Sequence, residues 1–381
     1  MNRKFVFWAL ILVLVLGVVS CQPAATPTTP AAEATKAPEV ELKPAKIVLI
    51  VSQPKGEPFA TLVDSGMQKL KGEMGDKLDY RLVESLDKAE HKEQVRTAAE
   101  MGANPVMVLW DDLANAVLEV APDFPDTKFI ILDSYVTADL PNVKTVVIEP
   151  QEASFIAGVV AAKKTQTKVL GFVGGADIPV IENFFSGFAA GVKYVDPSIE
   201  VKEVYAGTFI DPAKGLEVGG LLFKQGCDIV MHAANKTGLG VIKAAEEAKK
   251  LAIGVDMWQG DVAPGYVLWS ALKPADVATY MAAKEAVEGK FTKGMWFYTL
   301  KEGAALYDMR DFNALDKDTQ DIVKRVEEAI KSGAITVPKT KTELKNFTAT
   351  LGEAPGVELK PAKIVLIVSQ PKGEPFATLV D

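Results

Sequence analysis

Histidine and cysteine are scarce in this chain, which has two of each among its 381 residues. The two cysteines, Cys21 and Cys227, predict no disulfide framework, and two histidines make a histidine-based metal or acid/base site a poor expectation. The sequence also lacks a G-x-S-x-G element, a P-loop ending in GK[ST] and a ligand-spaced set of cysteines and histidines. We therefore expect no catalytic residues, no metal and no cofactor.

Acidic residues outnumber basic ones. Lys and Arg number 42 against 50 Asp and Glu, the net charge is −8, and no basic run is present. This balance argues against nucleic acid as a partner. The 24% charged and 48% hydrophobic residues are typical of a soluble globular protein, and the length suits two α/β domains.

The first 21 residues resemble a bacterial lipoprotein signal peptide. Arg3 and Lys4 precede an apolar run at residues 5–19, and small residues stand just before Cys21. The run has signal-peptide length and is short for a membrane span, although an uncleaved anchor helix is the alternative. We predict that Cys21 is lipidated, which would hold the chain at the extracytoplasmic face of the cell membrane. Residues 22–44, rich in Pro, Ala and Thr, predict a disordered linker.

From residue 45 the sequence alternates apolar β-branched runs with helical patterns. Its first run, KIVLIV at residues 46–51, predicts a strand buried on both faces, and apolar residues at helical spacing follow a Pro/Gly-rich turn. The alternation predicts an α/β fold with two doubly wound parallel-sheet lobes joined by a hinge. The expected bounds are 45–149 with returning segments at about 273–310 for lobe 1, and 150–272 with a C-terminal helix at about 316–333 for lobe 2.

The end of the chain repeats its beginning. Residues 357–381 are identical to residues 40–64, and the chain then stops. We place the end of the binding domain at Pro338 and interpret residues 339–356 as a polar linker. The copy is interpreted as a truncated duplication or an assembly artefact rather than a functional element. The first copy should form the strand, because its loop-closure cost is lower.

A strand pair is also predicted near Tyr298 to Tyr307.

Polar and aromatic side chains stand at or just after the carboxyl ends of predicted strands: Gln53, Trp110, Asp111, Asp133, Asn235, Asp256 and Trp258. In two facing parallel sheets these ends converge on one cleft. Aromatic faces can stack on a planar ring, and carboxylates can accept hydrogen bonds from ring N–H groups or sugar hydroxyls. Each acid alone could equally be a helix cap or a solvated loop residue. Asp133 and Asp256, however, occupy equivalent points in the two halves.

Several motifs resemble one family. They lie, in order, at residues 149–158 (EPQEASFIAG), 171–175 (GFVGG), 187–192 (GFAAGV), 208–215 (TFIDPAKG) and 254–259 (GVDMWQ). Together they resemble the basic membrane lipoprotein family, the purine-nucleoside-binding lipoproteins of ABC importers. The resemblance implies a type I periplasmic-binding-protein fold with a nucleoside-like ligand in the cleft. It also implies an ABC permease and ATPase as partners and no catalysis. We expect the protein to be a monomer.

The resemblance implies ligand-binding roles for a few residues here. Phe59 would stack on a base, Asp133 and Lys273 match cleft positions, and Asp256 would bind ribose hydroxyls. Three positions depart from the family pattern: Gln53 and Trp258 replace acids, and Ala60 replaces an asparagine. These departures leave a flavin-like solute or a modified nucleoside open. A surface sensor of the same fold without import is the alternative function, and a nucleoside hydrolase is a weaker one.

Overall fold

The computed structural model describes residues 43–351. The predicted signal peptide, the lipidated Cys21, nearly all of the linker and the second copy of the repeat lie outside the described residues. In chain order the described strands are β1 Ala45–Val51, β2 Leu78–Glu84, β3 Val106–Leu109, β4 Phe129–Leu132, β5 Val143–Ile148, β6 Val169–Gly174, β7 Glu200–Tyr205, β8 Ile229–Ala233, β9 Leu251–Asp256, β10 Val267–Leu272 and β11 Gly294–Tyr298.

The described helices are α1 Pro58–Met74, α2 His91–Glu100, α3 Trp110–Val120, α4 Gln151–Lys164, α5 Pro179–Val195, α6 Pro212–Lys224, α7 Asn235–Ala248, α8 Ala275–Val287, α9 Met309–Ala314, α10 Lys317–Lys331 and α11 Lys341–Asn346. Most strands lead into a helix, as parallel connections require. Among the described residues, no helix is both long enough and apolar enough to span a membrane.

The strands form two parallel sheets, one in each lobe. The first has the order β11-β5-β4-β3-β1-β2, and the second has the order β10-β9-β8-β6-β7. Every strand pair within them is parallel. The predicted fold class, two doubly wound parallel-sheet lobes, is therefore confirmed.

The chain passes between the lobes three times. It leaves the first sheet after β5 and enters α4, which packs on α5 beside the second sheet. It returns after β10 through Lys273 to α8, which packs on α1 and β5. It crosses again after β11 to α9 and α10, which pack on β10 and α4. Three segments that connect two lobes allow hinge motion.

The first copy of the repeat forms strand β1, which lies next to the edge strand β2 of the first sheet. Strand β1 pairs with both β2 and β3. Ile47 and Leu49 join one apolar cluster, whereas Val48 and Ile50 join the cluster on the opposite face. Covering both faces explains why the run is almost wholly apolar. Helix α1 packs closely on α8 at Gly66. A Cβ atom at this position would lie only 2.1 Å from a backbone oxygen of α8, so the contact requires glycine.

The predicted strand pair near Tyr298 to Tyr307 is wrong. Strand β11 ends at Tyr298, and a short 3-10 turn capped by Thr299 and Glu302 follows. Tyr307 forms an isolated antiparallel bridge with Ala271 instead. The apolar residues in this stretch belong to a crossing between lobes, so their alternation does not reflect a hairpin.

The linker predicted from residue 339 is also wrong over its first part. Lys339 forms an ion pair with Glu149, and α11 follows directly. The Phe347 ring then packs edge-on against Phe155 with centroids 5.8 Å apart, and the Leu351 N–H donates to the Tyr194 carbonyl over 2.9 Å. The folded domain therefore continues to residue 351, with Phe347 buried in its apolar core.

Candidate ligand-binding cleft

A cavity of about 540 Å³ lies between the lobes, at the carboxyl ends of the strands. Its volume is in the usual range for small-molecule sites. Seven of the eight residues predicted as ligand-binding line it: Gln53, Phe59, Trp110, Asp133, Asn235, Asp256 and Lys273. The structure thus brings these seven side chains to one cavity. Asp111, which the strand-end pattern also singled out, lines it too.

Four of these residues have a left-handed backbone conformation. Trp110, Asp133, Asn235 and Asp256 have φ values of 71°, 54°, 46° and 68°, and each stands where a strand ends. A non-glycine residue in this conformation costs about 1–3 kcal/mol and tends to occur at functional sites. The same local geometry recurs in both lobes, which places equivalent side chains on the two walls of the cavity.

One wall is aromatic. The rings of Phe59 and Trp110 are stacked, with centroids 5.7 Å apart and planes 16° from parallel. The Lys273 ammonium lies 5.0 Å from the Phe59 centroid and 5.9 Å from that of Phe184. Flat apolar rings with a cation beside them suit a planar, electron-rich ligand.

Asp133 is held by two donors. Its carboxylate accepts from the Trp110 indole N–H over 3.1 Å and from the Lys273 ammonium over 2.7 Å. The side chains of Lys273 and Asp133 are only 3% and 8% exposed, so the pair is buried. The Lys273 backbone N–H also donates to the Asp256 carbonyl over 3.0 Å, which ties a crossing segment to the end of β9. These contacts make Asp133 and Lys273 a fixed framework of the cleft.

Asp256 is different, because no described side chain forms an ion pair with it. Burial between the lobes raises the pKa of its carboxyl to about 7, while the charge of Lys273 acts to lower the pKa and that of Asp133 to raise it. The carboxyl is therefore an acceptor whose charge depends on pH near neutrality. Groups with such perturbed pKa values in a cleft are candidate functional groups.

Amide side chains link the two lobes at the other side of the cavity. The Phe59 backbone N–H donates to Asn235 Oδ1 over 3.4 Å, and Asn235 Nδ2 donates to Gln53 Oε1 over 3.5 Å. Nearby, the Lys236 ammonium pairs with the Glu57 carboxylate over 3.2 Å. Asn235 and Lys236 begin α7 in the second lobe, so these contacts join the lobes across the cleft.

Trp258, the eighth predicted residue, does not line this cavity. Its indole N–H donates to Asp311 over 2.9 Å, and the Arg310 guanidinium carbon lies 3.5 Å from its ring centroid. Both partners belong to α9, so the ring is engaged by the third crossing. The placement inferred from the strand-end pattern is therefore wrong for Trp258.

Sequence reasoning missed the apolar wall of the second lobe. Phe184, Phe209 and the first turn of α5 line the cavity there. Phe209 follows β7 within one of the family-like motifs, and its ring packs on Gly175, where a Cβ would lie 2.1 Å from Phe209 Cε1. Gly175, directly after β6, thus makes room for the Phe209 ring. The signal that could have found Phe209 is its position after a strand, which resembles that of Phe59.

The histidine and the cysteine of the second lobe, His232 and Cys227, have structural roles. His232 is fully buried, its Nε2 lies 3.0 Å from Gln259 Oε1, and burial lowers the pKa of its imidazole to about 4. Burial raises the pKa of the Cys227 thiol to about 11. Within residues 43–351, no group of three or more His, Cys, Asp and Glu side chains is placed to hold a metal ion.

Comparisons with known proteins identify the family of this chain. Residues 44–341 match the sequence profile of a family described as "ABC transporter substrate-binding protein PnrA-like". The "ABC transporter nucleoside-binding protein BmpA" of Lactococcus lactis is 31% identical over 277 residues, which cover 68% of this chain and 78% of that protein. The "CD4+ T-cell-stimulating antigen" of Listeria monocytogenes is 31% identical over 278 residues, covering 68% of this chain and 77% of that protein.

Solved structures are similar in fold. A solute-binding protein of an ABC transporter system from Aeropyrum pernix superposes with a TM-score of 0.71 at 23% identity, covering 80% of this chain and 96% of that one. A protein titled as a transcriptional activator of the comK gene from Bacillus halodurans superposes with a TM-score of 0.66 at 19% identity, covering 77% and 100%. At these identities the likeness concerns the fold alone.

Proposed function

The chain belongs to the family of PnrA-like ABC transporter substrate-binding proteins, and on that premise we propose that it binds a purine nucleoside or a similar aromatic small molecule in the cleft between its lobes. The observation that carries the proposal is the combination of stacked aromatic rings and a partly buried carboxyl, Asp256, with which no described side chain forms an ion pair, in one cavity of about 540 Å³. The name of the relative from Lactococcus lactis, a nucleoside-binding protein, supports the same ligand class.

The aromatic side chains would hold the planar part of the ligand. Phe59 and Trp110 approach the cavity from the first lobe, and Phe209 and Phe184 from the second. Rings on opposite walls can bury both faces of a base, and stacking contributes roughly 1–3 kcal/mol per base. In this proposal Phe209 is the second-lobe counterpart of Phe59.

Asp256 would accept hydrogen bonds from two hydroxyls of a sugar. Carboxylate oxygens only accept when ionised, and two of them suit a vicinal diol. Asp133 has less free capacity, because the Trp110 indole and the Lys273 ammonium already donate to it. We therefore assign the sugar to Asp256 and give Asp133 the role of holding the Trp110 ring and Lys273 in place.

Contacts between the lobes support a mechanism in which the lobes close on the ligand. Glu57 pairs with Lys236, and the Tyr135 hydroxyl donates to the Asn183 amide oxygen over 2.7 Å. Each pair joins one lobe to the other beside the cavity. A ligand that contacts both walls stabilises the closed arrangement by its differential affinity for that state.

We further propose that the protein is a monomer attached to the outer face of the membrane through a lipid on Cys21, and that it delivers its ligand to an ABC permease and ATPase. The chain is proposed to bind its ligand without chemical change. Incubation with a nucleoside should leave the mass of the nucleoside unaltered, and detection of free base would contradict this part of the proposal.

Thermal unfolding with a panel of nucleosides, bases and flavins tests the ligand class. A ligand present at 100 times its Kd should stabilise the folded state by about 2.7 kcal/mol, which raises Tm by several degrees. Trp110→Ala should reduce the shift, whereas Trp258→Ala is the matched control, since Trp258 lies outside the cavity. The absence of any shift across the panel would overturn the proposed function.

A further inference from the structure

A chain of hydrogen bonds fixes the orientation of two side-chain amides in the cleft. The Phe59 backbone N–H can only donate, so the atom of Asn235 that faces it over 3.4 Å must be the amide oxygen. The amide nitrogen of Asn235 then points toward Gln53, 3.5 Å from its side-chain oxygen. Because Asn235 offers a donor, the Gln53 atom that faces it is the acceptor.

This arrangement leaves the other end of the Gln53 amide free. Gln53 is 7% exposed and lines the cavity, and its Nε2 has no hydrogen-bond partner among the residues that the structure describes. Buried polar groups in folded proteins are nearly always paired, so an unpaired buried donor at a ligand cavity calls for a partner. The partner must be an acceptor, because Nε2 has two N–H groups and no free lone pair.

We propose that Gln53 sets ligand specificity by donating a hydrogen bond from Nε2 to an acceptor atom on the ring edge of the ligand. The ligand class is then an aromatic heterocycle that presents an unprotonated ring nitrogen or a carbonyl oxygen to the end of β1. This inference rests on the proposed function, the binding of an aromatic solute between the lobes. It adds which partner donates in one hydrogen bond: Gln53 donates and the ligand accepts. Neither the fold nor the ligand class determines this direction.

Closure of the lobes helps to fix Gln53 as a donor toward the ligand. Gln53 and Phe59 belong to the first lobe, whereas Asn235 opens α7 in the second. The relay from Phe59 through Asn235 to Gln53 therefore exists only when the lobes are together. A ligand whose edge presents an N–H group at this point would oppose a donor to a donor, and selection against it arises as the cleft closes.

A carboxylate at position 53 would have the opposite preference. An ionised Glu only accepts, so it selects an N–H group on the ligand and opposes a ring nitrogen or carbonyl. Gln53→Glu keeps the length and branching of the side chain and changes only this polarity. Gln225→Glu, at an exposed position after α6, is the matched control for the added charge.

The experiment is calorimetric titration of the wild type, Gln53→Glu and Gln225→Glu with adenosine and with its 1-deaza, 3-deaza and 7-deaza analogues. Each analogue replaces one ring-nitrogen acceptor by C–H. Measurement at about pH 8.5 keeps both the introduced Glu and Asp256 ionised. The wild type and Gln225→Glu should bind one of the analogues about tenfold more weakly than adenosine. Gln53→Glu should bind that same analogue and adenosine with Kd values within about threefold of each other.

Two results contradict different claims. If wild type binds adenosine but its discrimination among the analogues is unchanged in Gln53→Glu, or if none of the analogues is discriminated, the assignment of Gln53 as donor is overturned and the ligand class stands. If wild type binds neither adenosine nor any analogue, the assignment of Gln53 as donor to a ring nitrogen of adenine is overturned, and the absence of any thermal shift across the panel of nucleosides, bases and flavins would overturn the proposed function as well. Circular dichroism of each variant establishes that folding is intact.

Discussion

Replacing Asp256 by Asn should stabilise the protein while weakening its ligand binding. Burial raises the pKa of this carboxyl from 3.8 to about 7, a shift of about three units. At about 1.4 kcal/mol per unit, the ionised carboxylate destabilises the folded state by up to about 4 kcal/mol above pH 7. Asn has nearly the same shape, carries no charge and tolerates the φ of 68° found here.

The effect has a defined pH window. Because the folded-state pKa is raised, the folded protein holds a proton that the unfolded chain releases between pH 3.8 and about 7. The free energy of unfolding of the wild type therefore falls as pH rises through this window, and the loss is complete above pH 7. The introduced amide does not titrate, so between pH 5 and pH 8 the advantage of Asp256→Asn should grow by about 3 kcal/mol.

Asp133→Asn is the matched comparison, for which we expect the opposite change in the free energy of unfolding. Asp133 also has a positive φ at a strand end, but its carboxylate pairs with the buried Lys273. Removing one partner of a buried ion pair leaves an uncompensated charge and costs about 3–5 kcal/mol. We therefore expect destabilisation from Asp133→Asn at pH 8, where Asp256→Asn stabilises.

Urea unfolding without ligand at pH 5 and pH 8 measures both effects, and calorimetry measures binding. Loss of the charged acceptor in Asp256→Asn should weaken a nucleoside by roughly 10- to 100-fold at pH 8, since hydrogen bonds to charged groups contribute about 1.5–3 kcal/mol. Equal stability of wild type and Asp256→Asn at both pH values would refute the account of this carboxyl. Equal destabilisation by both Asn substitutions would do so as well.

Two further predictions concern the cavity wall and the end of the domain. Trp110→Ala should weaken ligand binding by about 1–3 kcal/mol, measured by calorimetry, whereas Trp258→Ala should change the Kd by less than about threefold. Deleting residues 352–381 should leave Tm and binding unchanged. Deleting residues 339–381 should lower Tm by several degrees in a thermal scan, because the buried Phe347 ring is lost. Equal Tm values for the two truncations would contradict the docking of this segment.

The fold followed from local sequence where the pattern was strong. The almost wholly apolar β1 and the acids at the ends of β4 and β9 were identified because parallel strands buried on both faces are apolar and end at the ligand cleft. Two parallel lobes then place Asp133 and Asp256 at one cavity. Their left-handed backbone conformation, by contrast, is not visible in the sequence.

Other features depended on tertiary contacts that no local pattern encodes. Trp258 follows a strand as Trp110 does, yet Asp311 and Arg310, more than 50 residues later, engage its indole. Phe347 stands in a polar stretch and docks on Phe155, almost 200 residues earlier. In both cases long-range contacts determine the position of an aromatic ring.

Native mass spectrometry of the freshly purified wild-type protein tests the central claim most directly. The account predicts a monomer that carries one aromatic small molecule, or that binds one added purine nucleoside per chain, with the bound species lost in Trp110→Ala and retained in Trp258→Ala. A wild-type protein that shows neither a co-purified ligand nor binding of any added nucleoside, base or flavin would contradict it.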